Sequence, residues 1–302
     1  MDPSGWWLRA LRPGFVKQVA TTAVIAKTVR EMTNLKIFDS HIHVWDLAAQ
    51  QLDWLQGVDS MLHRSFSFSD LKQAYNNLHD KGLEDVELVG ALHVEADVAD
   101  PVDEDARITS LMQQEPLLKG FVTHAYLHKD LQVTLGAAGV REVLHNDNVP
   151  RGRCLESSFA AGCRNLSSQA KVFDLCMRTP ELGDFSTAYA ECANTRVVID
   201  HCGNAQNLNG EFASNMRALA EHPNVYCKLS GLSYESTADA YRLLEFLGEI
   251  FGPQRLMFAS NWPVIGIYTE LHTHITAIRK VFGDDPDVFS STARSVYNLK
   301  GK

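Results

Sequence analysis

No two of the six cysteines stand in a Cys-x-x-Cys spacing, and Cys154, Cys163, Cys176, Cys192, Cys202 and Cys227 follow no regular cadence. That argues against a zinc knuckle or a disulfide-stapled framework. Cys176, Cys202 and Cys227 fall inside apolar strand-like runs, so buried, reduced thiols in a cytoplasmic protein are the expectation. Also missing is any run of about 18 uncharged apolar residues, so no membrane-spanning helix and no membrane partner are expected. Basic charge is scarce: 28 Lys and Arg face 37 Asp and Glu, a formal net charge of -9. Phosphate-binding surfaces need clustered cations, so nucleic acid is excluded as a partner and a small-molecule substrate is expected. An acidic total leaves room for an anionic substrate, because a local Arg or Lys governs a pocket within a screening length of about 8–10 Å. There is no internal repeat, no low-complexity tract and no Pro/Gly/Ser linker, so the bulk of the chain reads as one domain.

What is present is an alternation of short β-rich runs with longer helical stretches. Eight runs qualify as strands: 36–43, 86–94, 119–126, 139–144, 171–177, 196–202, 224–230 and 255–260. Their near-continuous apolar character fits strands covered on both faces. Between them, 70–79, 103–114, 212–221 and 238–251 carry helical periodicity, several behind Ser, Asp or Thr caps. Eight βα units predict an α/β fold of the (β/α)₈ TIM-barrel type over residues 36–302. A doubly wound open sheet is disfavoured, since no glycine-rich phosphate loop follows the first strand and no organic cofactor is implied. Residues 1–35 form an N-terminal extension. Arg9, Arg12, Lys17, Lys27 and Arg30 against Asp2 and Glu31 leave three readings open there, a helix packed on the barrel, an organelle-targeting segment, or an upstream start preceding Met32.

The first strand ends in Phe38-Asp39-Ser40-His41-Ile42-His43-Val44-Trp45. Side chains alternate along a strand, so His41 and His43 share a face. His201 closes the sixth run in Ile199-Asp200-His201-Cys202-Gly203, and barrel enzymes gather reactive groups at strand C-termini. By the same alternation Asp39 and Asp200 are expected to point toward the helices, in structural roles. His93 and Glu95 would share a face of the second strand, Glu95 being a spare carboxylate or a partner for Arg or Lys. Arg141 could fork onto a substrate carboxylate or pair at the rim. His124 and Lys228 are further candidates, and Trp45 and Trp262 could wall a pocket or simply pack.

Asp39-Ser40-His41-x-His43-Val44-Trp45, His93-Val94-Glu95-Ala96, Gly139-Val140-Arg141, Ile199-Asp200-His201-Cys202-Gly203, Lys228-Leu229-Ser230-Gly231-Leu232 and Ser260-Asn261-Trp262-Pro263 appear in this order. From about residue 36 onward the chain therefore resembles the amidohydrolase-related (amidohydrolase 2) family, in its branch of sugar-lactone and pyrone-dicarboxylate lactonases. The resemblance implies a hydrolase of small cyclic esters, with His41, His43 and His201 either binding a divalent metal, zinc foremost, or polarising the lactone carbonyl directly.

One position departs from the family pattern. The last motif there carries an aspartate, the base that deprotonates the attacking water, and here it is Asn261. An amide orients a water but cannot take its proton, which implies a loss of about 10² to 10⁴ in rate. It also weakens a metal site by replacing a carboxylate with a neutral oxygen. An engineered substitution, a member using another base, and a protein that no longer hydrolyses are three explanations. A metal-dependent decarboxylase and a catalytically silent ligand-binding protein stay open as rivals.

Overall fold

All eight expected runs become strands, each within a few residues of its expected bounds. In the computed structural model, which describes residues 34–205 and 207–299, they are β1 (Leu35–Ile42), β2 (Val86–Val94), β3 (Leu118–His124), β4 (Gly139–Val143), β5 (Val172–Cys176), β6 (Arg196–Ile199), β7 (Val225–Leu229) and β8 (Leu256–Phe258). They pair in sequence order, and every pairing is parallel. The barrel closes at its C-terminal end, where Ile42 bridges to Trp262, His43 N donates to Trp262 O at 2.7 Å and Asn261 N donates to His41 O at 2.9 Å. Closure therefore runs through the residues marked as reactive. The expectation for residues 1–35 falls almost wholly outside the described residues.

The helices between strands are α1 (Phe68–Asn76), α2 (Pro101–Gln114), α3 (Ser157–Ser168), α4 (Leu182–Cys192), α5 (Gly210–Ala220), α6 (Thr237–Phe251) and α7 (Leu271–Phe282), followed by a short α8 (Thr292–Val296). Caps start several of them. Ser67 and Asp70 form a reciprocal capping box on α1, Asp100 accepts from Val102 N and Asp103 N ahead of α2, and Asn209 accepts from Phe212 N on α5.

Period-two alternation divides the strand side chains between two cores. In β5, Phe173 packs outward on Phe159 of α3, while Val172 joins the barrel interior with Phe38, Leu92, Val94, Val122, Val198 and Met257. Val296 and Tyr297 join the same interior cluster, and Arg294 donates to Val89 O at the start of β2, so the segment from α8 onward stoppers the barrel at the strand N-termini.

The cysteine expectation needs correction. Cys163 on α3 and Cys192 on α4 are joined by a disulfide, their Cα atoms 5.0 Å apart. They sit 29 residues apart, one βα unit, and the packing of successive helices brings them together. Cys154, Cys176, Cys202 and Cys227 are free and buried, as expected. The cysteines thus no longer argue for a reducing compartment. No helix among the described residues is long and apolar enough to cross a membrane.

Candidate active site

A β-bulge sets the orientation of the first two histidines. Pairing of β1 with β2 slips between Asp39 and Ile42, so that three residues of β1 pass while β2 advances two. Phe38 faces the barrel interior, and strict alternation would have sent residues 40 and 42 after it; the bulge turns His41 and His43 inward instead. Asp39 holds the irregularity in place. Its Oδ2 accepts from Tyr75 O–H of α1 at 2.8 Å, and its Oδ1 accepts from Ser260 N at 2.8 Å. Asp39 therefore contacts the helical layer, as expected.

Asp200 does not. Val198 faces the interior, so period two takes Asp200 there as well, where its carboxylate lies 3.0 Å from Lys228 Nζ, 3.4 Å from His41 Nδ1 and 3.7 Å from Arg141. The alternation rule had been anchored on the wrong residue. β6 ends at Ile199, and His201 reaches the same space through a left-handed turn, with φ of 52° at His201 and Cys202 and 71° at Gly203. Gly231 makes room for it: a Cβ there would stand 2.7 Å from the His201 Cβ, and its own φ is +69°.

These elements bring His41, His43, His201 and Asn261 together. His41 Nε2 is 3.1 Å from His43 Nε2, the His41 and His201 rings are 4.6 Å apart, and Asn261 Oδ1 is 3.2 Å from His43 Nε2. Asn261 Nδ2 donates to the Tyr268 hydroxyl oxygen at 3.0 Å, and His201 Nδ1 lies 2.8 Å from Ser230 Oγ. Beneath them Lys228, fully buried, meets Asp174 Oδ2, Asp200 Oδ1 and His41 Nδ1. Burial depresses all three imidazoles: His201 to about 4, and His41 and His43 well below the ordinary histidine value, with Lys228 pushing His41 further and Arg141 pushing His43 further. All three rings are neutral at pH 7. Burial pushes Asp200 up, but the Lys228 ammonium together with His41 and His201 outweighs it and holds the carboxyl well below the usual range.

The expected substrate-binding residues divide. Arg141 pairs with Glu95 through Nε and donates from Nη2 to Glu95 O at 2.6 Å, while Glu95 Oε2 accepts from Asp97 N at 2.7 Å. Glu95 is thereby committed to partners, and so is badly placed to act as a spare base. His124 stands 3.7 Å from Glu95 on the same side of the mouth. His93 is placed elsewhere. Its Nε2 meets Glu104 of α2 at 3.0 Å and its ring is 6.3 Å from His43, so the shared face with Glu95 does not materialise; Glu95 lies just past the end of β2, where alternation lapses. Trp45 and Trp262 both pack on Phe66, at 5.1 and 5.5 Å between ring centroids.

A cavity of about 340 Å³ opens at the mouth, lined by His201, Asn204, Gly231, Ser233, Asn261 and Tyr268. Two larger clefts, of about 490 and 540 Å³, lie beside Trp45 and Trp262 and include none of His41, His43 and His201. The smaller cavity is the one that adjoins the reactive groups, and its size suits a single small molecule.

As a metal set, the geometry selects His41, Asp200 and His201, whose ligand atoms lie within 4.8 Å of one another, in place of His41, His43 and His201. His43 has both ring nitrogens engaged, Nδ1 on Val94 O at 2.8 Å and Nε2 on His41. Lys228 Nζ stands near two of these three residues, 3.0 Å from Asp200 Oδ1 and 3.2 Å from His41 Nδ1, yet both Asp200 oxygens are buried without a hydrogen-bond partner. A second group, Glu95, Asp97 and His124, carries Arg141 on its glutamate.

Sequence reading passed over Asp174, Tyr297, Ser230 and Tyr268. Asp174 had a visible signal, a lone charge inside the apolar run Val172-Phe173-Asp174-Leu175-Cys176, which has to be paired if the strand is buried. Tyr297, which donates to Asp174 Oδ1 at 2.7 Å across 123 residues, had none.

A family model described as Amidohydrolase matches residues 38–267. A solved structure described as amidohydrolase 2 from Bifidobacterium longum subsp. infantis is 34% identical, with a TM-score of 0.77 over 87% of this chain and 98% of its own. The L-fucono-1,5-lactonase of Burkholderia ambifaria is 26% identical over 252 residues, 75% of this chain and 80% of the lactonase. An amidohydrolase from Burkholderia multivorans, crystallised with bound zinc, shares the fold at 23% identity and a TM-score of 0.72, over 87% of this chain and 99% of its own.

Proposed function

The chain belongs to the amidohydrolase family, and from that premise we propose that it hydrolyses small lactones of the sugar or carboxylated type, at a rate limited by Asn261. The observation that carries the reading is the 340 Å³ cavity with His201 and Asn261 in its wall. Similarity to a named sugar lactonase over three quarters of the chain points to the same substrate class.

In this reading Ser230 O–H donates to His201 Nδ1 across their 2.8 Å contact, and the neutral ring presents Nε2–H to the lactone carbonyl. That donor stabilises the negative charge that builds on the oxygen as water adds, and a dry, prearranged donor is worth more there than in water. Asn261 orients the attacking water. Its amide has no basic lone pair, so as the water oxygen bonds to the carbonyl carbon its proton passes to bulk solvent, the ring C–O bond then breaks and the ring oxygen takes up a proton, and turnover is slow for want of a positioned base. Arg141, on the other side of the mouth, is shared between Glu95 and Asp200, so its charge is spent on those carboxylates.

His41, Asp200 and His201 would hold a divalent ion if one binds, since both Asp200 oxygens are buried without a hydrogen-bond partner, and the ion would supply a Lewis acid for the carbonyl oxygen. The metal-dependent decarboxylase reading loses ground through Asn261, which puts a neutral amide where a carboxylate ligand would stand.

The test is a pH-indicator assay over a panel of sugar and dicarboxylate lactones, comparing the wild-type chain with Asn261→Asp. Slow hydrolysis by the wild type and a rate higher by about 10² to 10⁴ in the variant is the expected result. Equal rates in both would place the base elsewhere, and silence in both, with a lactone still raising the melting temperature, would make the chain a binding protein.

A further inference from the structure

The β7–β8 ladder stops at Leu229 and Phe258, and beyond it the two strands release loops that wall the 340 Å³ cavity. Gly231 and Ser233 come from the loop 230–236, Asn261 and Tyr268 from the loop 259–270, and together they are four of the six lining residues. Ser230, which contacts His201, opens the first loop. Past the end of a ladder, backbone pairing no longer fixes the distance between two loops.

His274 bridges that gap from outside the barrel. It stands in the first turn of α7 and is buried, with Phe258 against its ring at 5.5 Å between centroids. Its Nε2 lies 3.1 Å from Leu229 O and 3.0 Å from Ala259 O, one carbonyl at the root of each loop. A carbonyl only accepts, so Nε2 carries a proton and shares it between the two. Burial lowers this imidazole to about 4, which leaves the ring neutral at pH 7 and its Nδ1 bare. Tyr234 O–H, from the middle of the loop 230–236, donates to that nitrogen at 2.9 Å. Both ring nitrogens are thus matched, one as donor and one as acceptor.

We propose that His274 is the clamp that sets the spacing of the two cavity walls: it ties the end of β7 to the end of β8 and, through Tyr234, draws the loop 230–236 onto α7, so that Asn261 and His201 face one cavity at a fixed separation. Leu229 and Ala259 lie one and two residues from Ser230 and Asn261. A loop that shifts by about 1 Å carries those groups with it, and displacements of that size cost about 10²-fold in rate. His274 touches no substrate and acts as a positioning residue. Its effect on turnover rests on the lactonase reading, whereas the clamp itself does not.

The test compares three variants of the full-length chain with wild type. His274→Phe keeps a ring and removes both nitrogens, His274→Gln keeps an amide donor at the reach of Nε2, and Tyr234→Phe removes only the donor to Nδ1. In the lactone assay kcat/KM should fall by about 10²-fold in His274→Phe and stay within about threefold of wild type in His274→Gln. Unfolded protein lowers kcat and leaves KM unchanged, so a KM that rises about tenfold in His274→Phe marks displaced walls. Amide hydrogen exchange read by mass spectrometry needs no substrate. Peptides covering 230–236 and 259–270 should exchange faster in His274→Phe, by about tenfold, and close to the wild-type rate in His274→Gln, with β1 to β5 unchanged in both. Faster loop exchange with no lactone turned over by any variant upholds the clamp and removes the lactonase reading. Unchanged loop exchange in a folded His274→Phe, a KM equal to that of wild type, or equal losses in His274→Phe and His274→Gln overturn the proposal. If His274→Phe does not fold, Tyr234→Phe decides by the same exchange measurement: faster exchange across 230–236 supports the clamp, and unchanged exchange overturns it.

Discussion

At the strand N-termini, Phe38, Leu92, Val172, Val198 and Met257 close on Val296 and Tyr297, whereas at the strand C-termini His41, His43, Asp200, His201 and Arg141 share one buried space. Both ends are drawn from the same strands, often two residues apart: Val172 lies below Asp174, and Val198 below Asp200. The lower end is held by apolar packing, which tolerates no vacancy but places no demand on protonation. The upper end is held by hydrogen bonds and ion pairs, with the Asp200 oxygens left without a hydrogen-bond partner, and removing a partner there leaves a further buried group unpaired. Apolar packing is therefore concentrated at the bottom and the candidate site at the mouth, with Lys228, Asp174 and Tyr297 joining the two.

Substitutions at the two ends should separate these roles. The largest effect belongs to the mouth, where Asn261→Asp raises turnover by about 10² to 10⁴, read as kcat in the indicator assay. Next comes the bottom. Phe38→Ala removes a fully buried ring and should cost about 3–5 kcal/mol in urea unfolding, while the fraction that stays folded keeps its kcat/KM. A large loss of kcat/KM with unchanged stability would erase the division between the ends. Tyr297→Phe probes the junction. It strips Asp174 Oδ1 of its hydroxyl donor and should destabilise by about 1–3 kcal/mol, again measured by urea unfolding.

Acid should have the smallest net effect, because its contributions oppose one another. His201 and His274 fall to about 4 in the folded state, so their contribution is complete above the ordinary histidine value of 6.5 and is lost as pH falls toward 4. Asp39 and Asp174 rise to about 6 through burial, so theirs is complete below 3.8 and lost as pH rises through 6. These pairs nearly cancel. The depressed His41 and His43 add to the acid-sensitive side between pH 7 and 5 and decide the sign, whereas Asp200, held below 3.8, adds to it only in stronger acid. The melting temperature should be modestly lower at pH 5 than at pH 7; an equal or higher value would mean that the histidine cluster is not held neutral.

Much of this was legible before any coordinates. Eight apolar runs separated by capped helices announced the strands, and His41 and His43, two residues apart, had to share a face. Which face was not legible, because a single inserted residue in β1 reverses the choice. Asp200 was misread for a related reason: alternation says which residues go together but needs one residue of known direction, and Val198 supplies it only once the barrel interior is known. His93 was grouped with Glu95 across the end of β2, where the strand rule stops applying.

The sequence by itself determined the order of parallel strands, the family, and the residue types available at the mouth, since period and motif order are local properties that survive without coordinates. Only the tertiary structure decided which of those residues meet. Lys228 touches His41 across 187 residues, Tyr297 reaches Asp174 across 123, and Cys163 pairs with Cys192 because two helices pack. Such contacts depend on barrel closure, which fixes distances between strand ends that no spacing along the chain encodes.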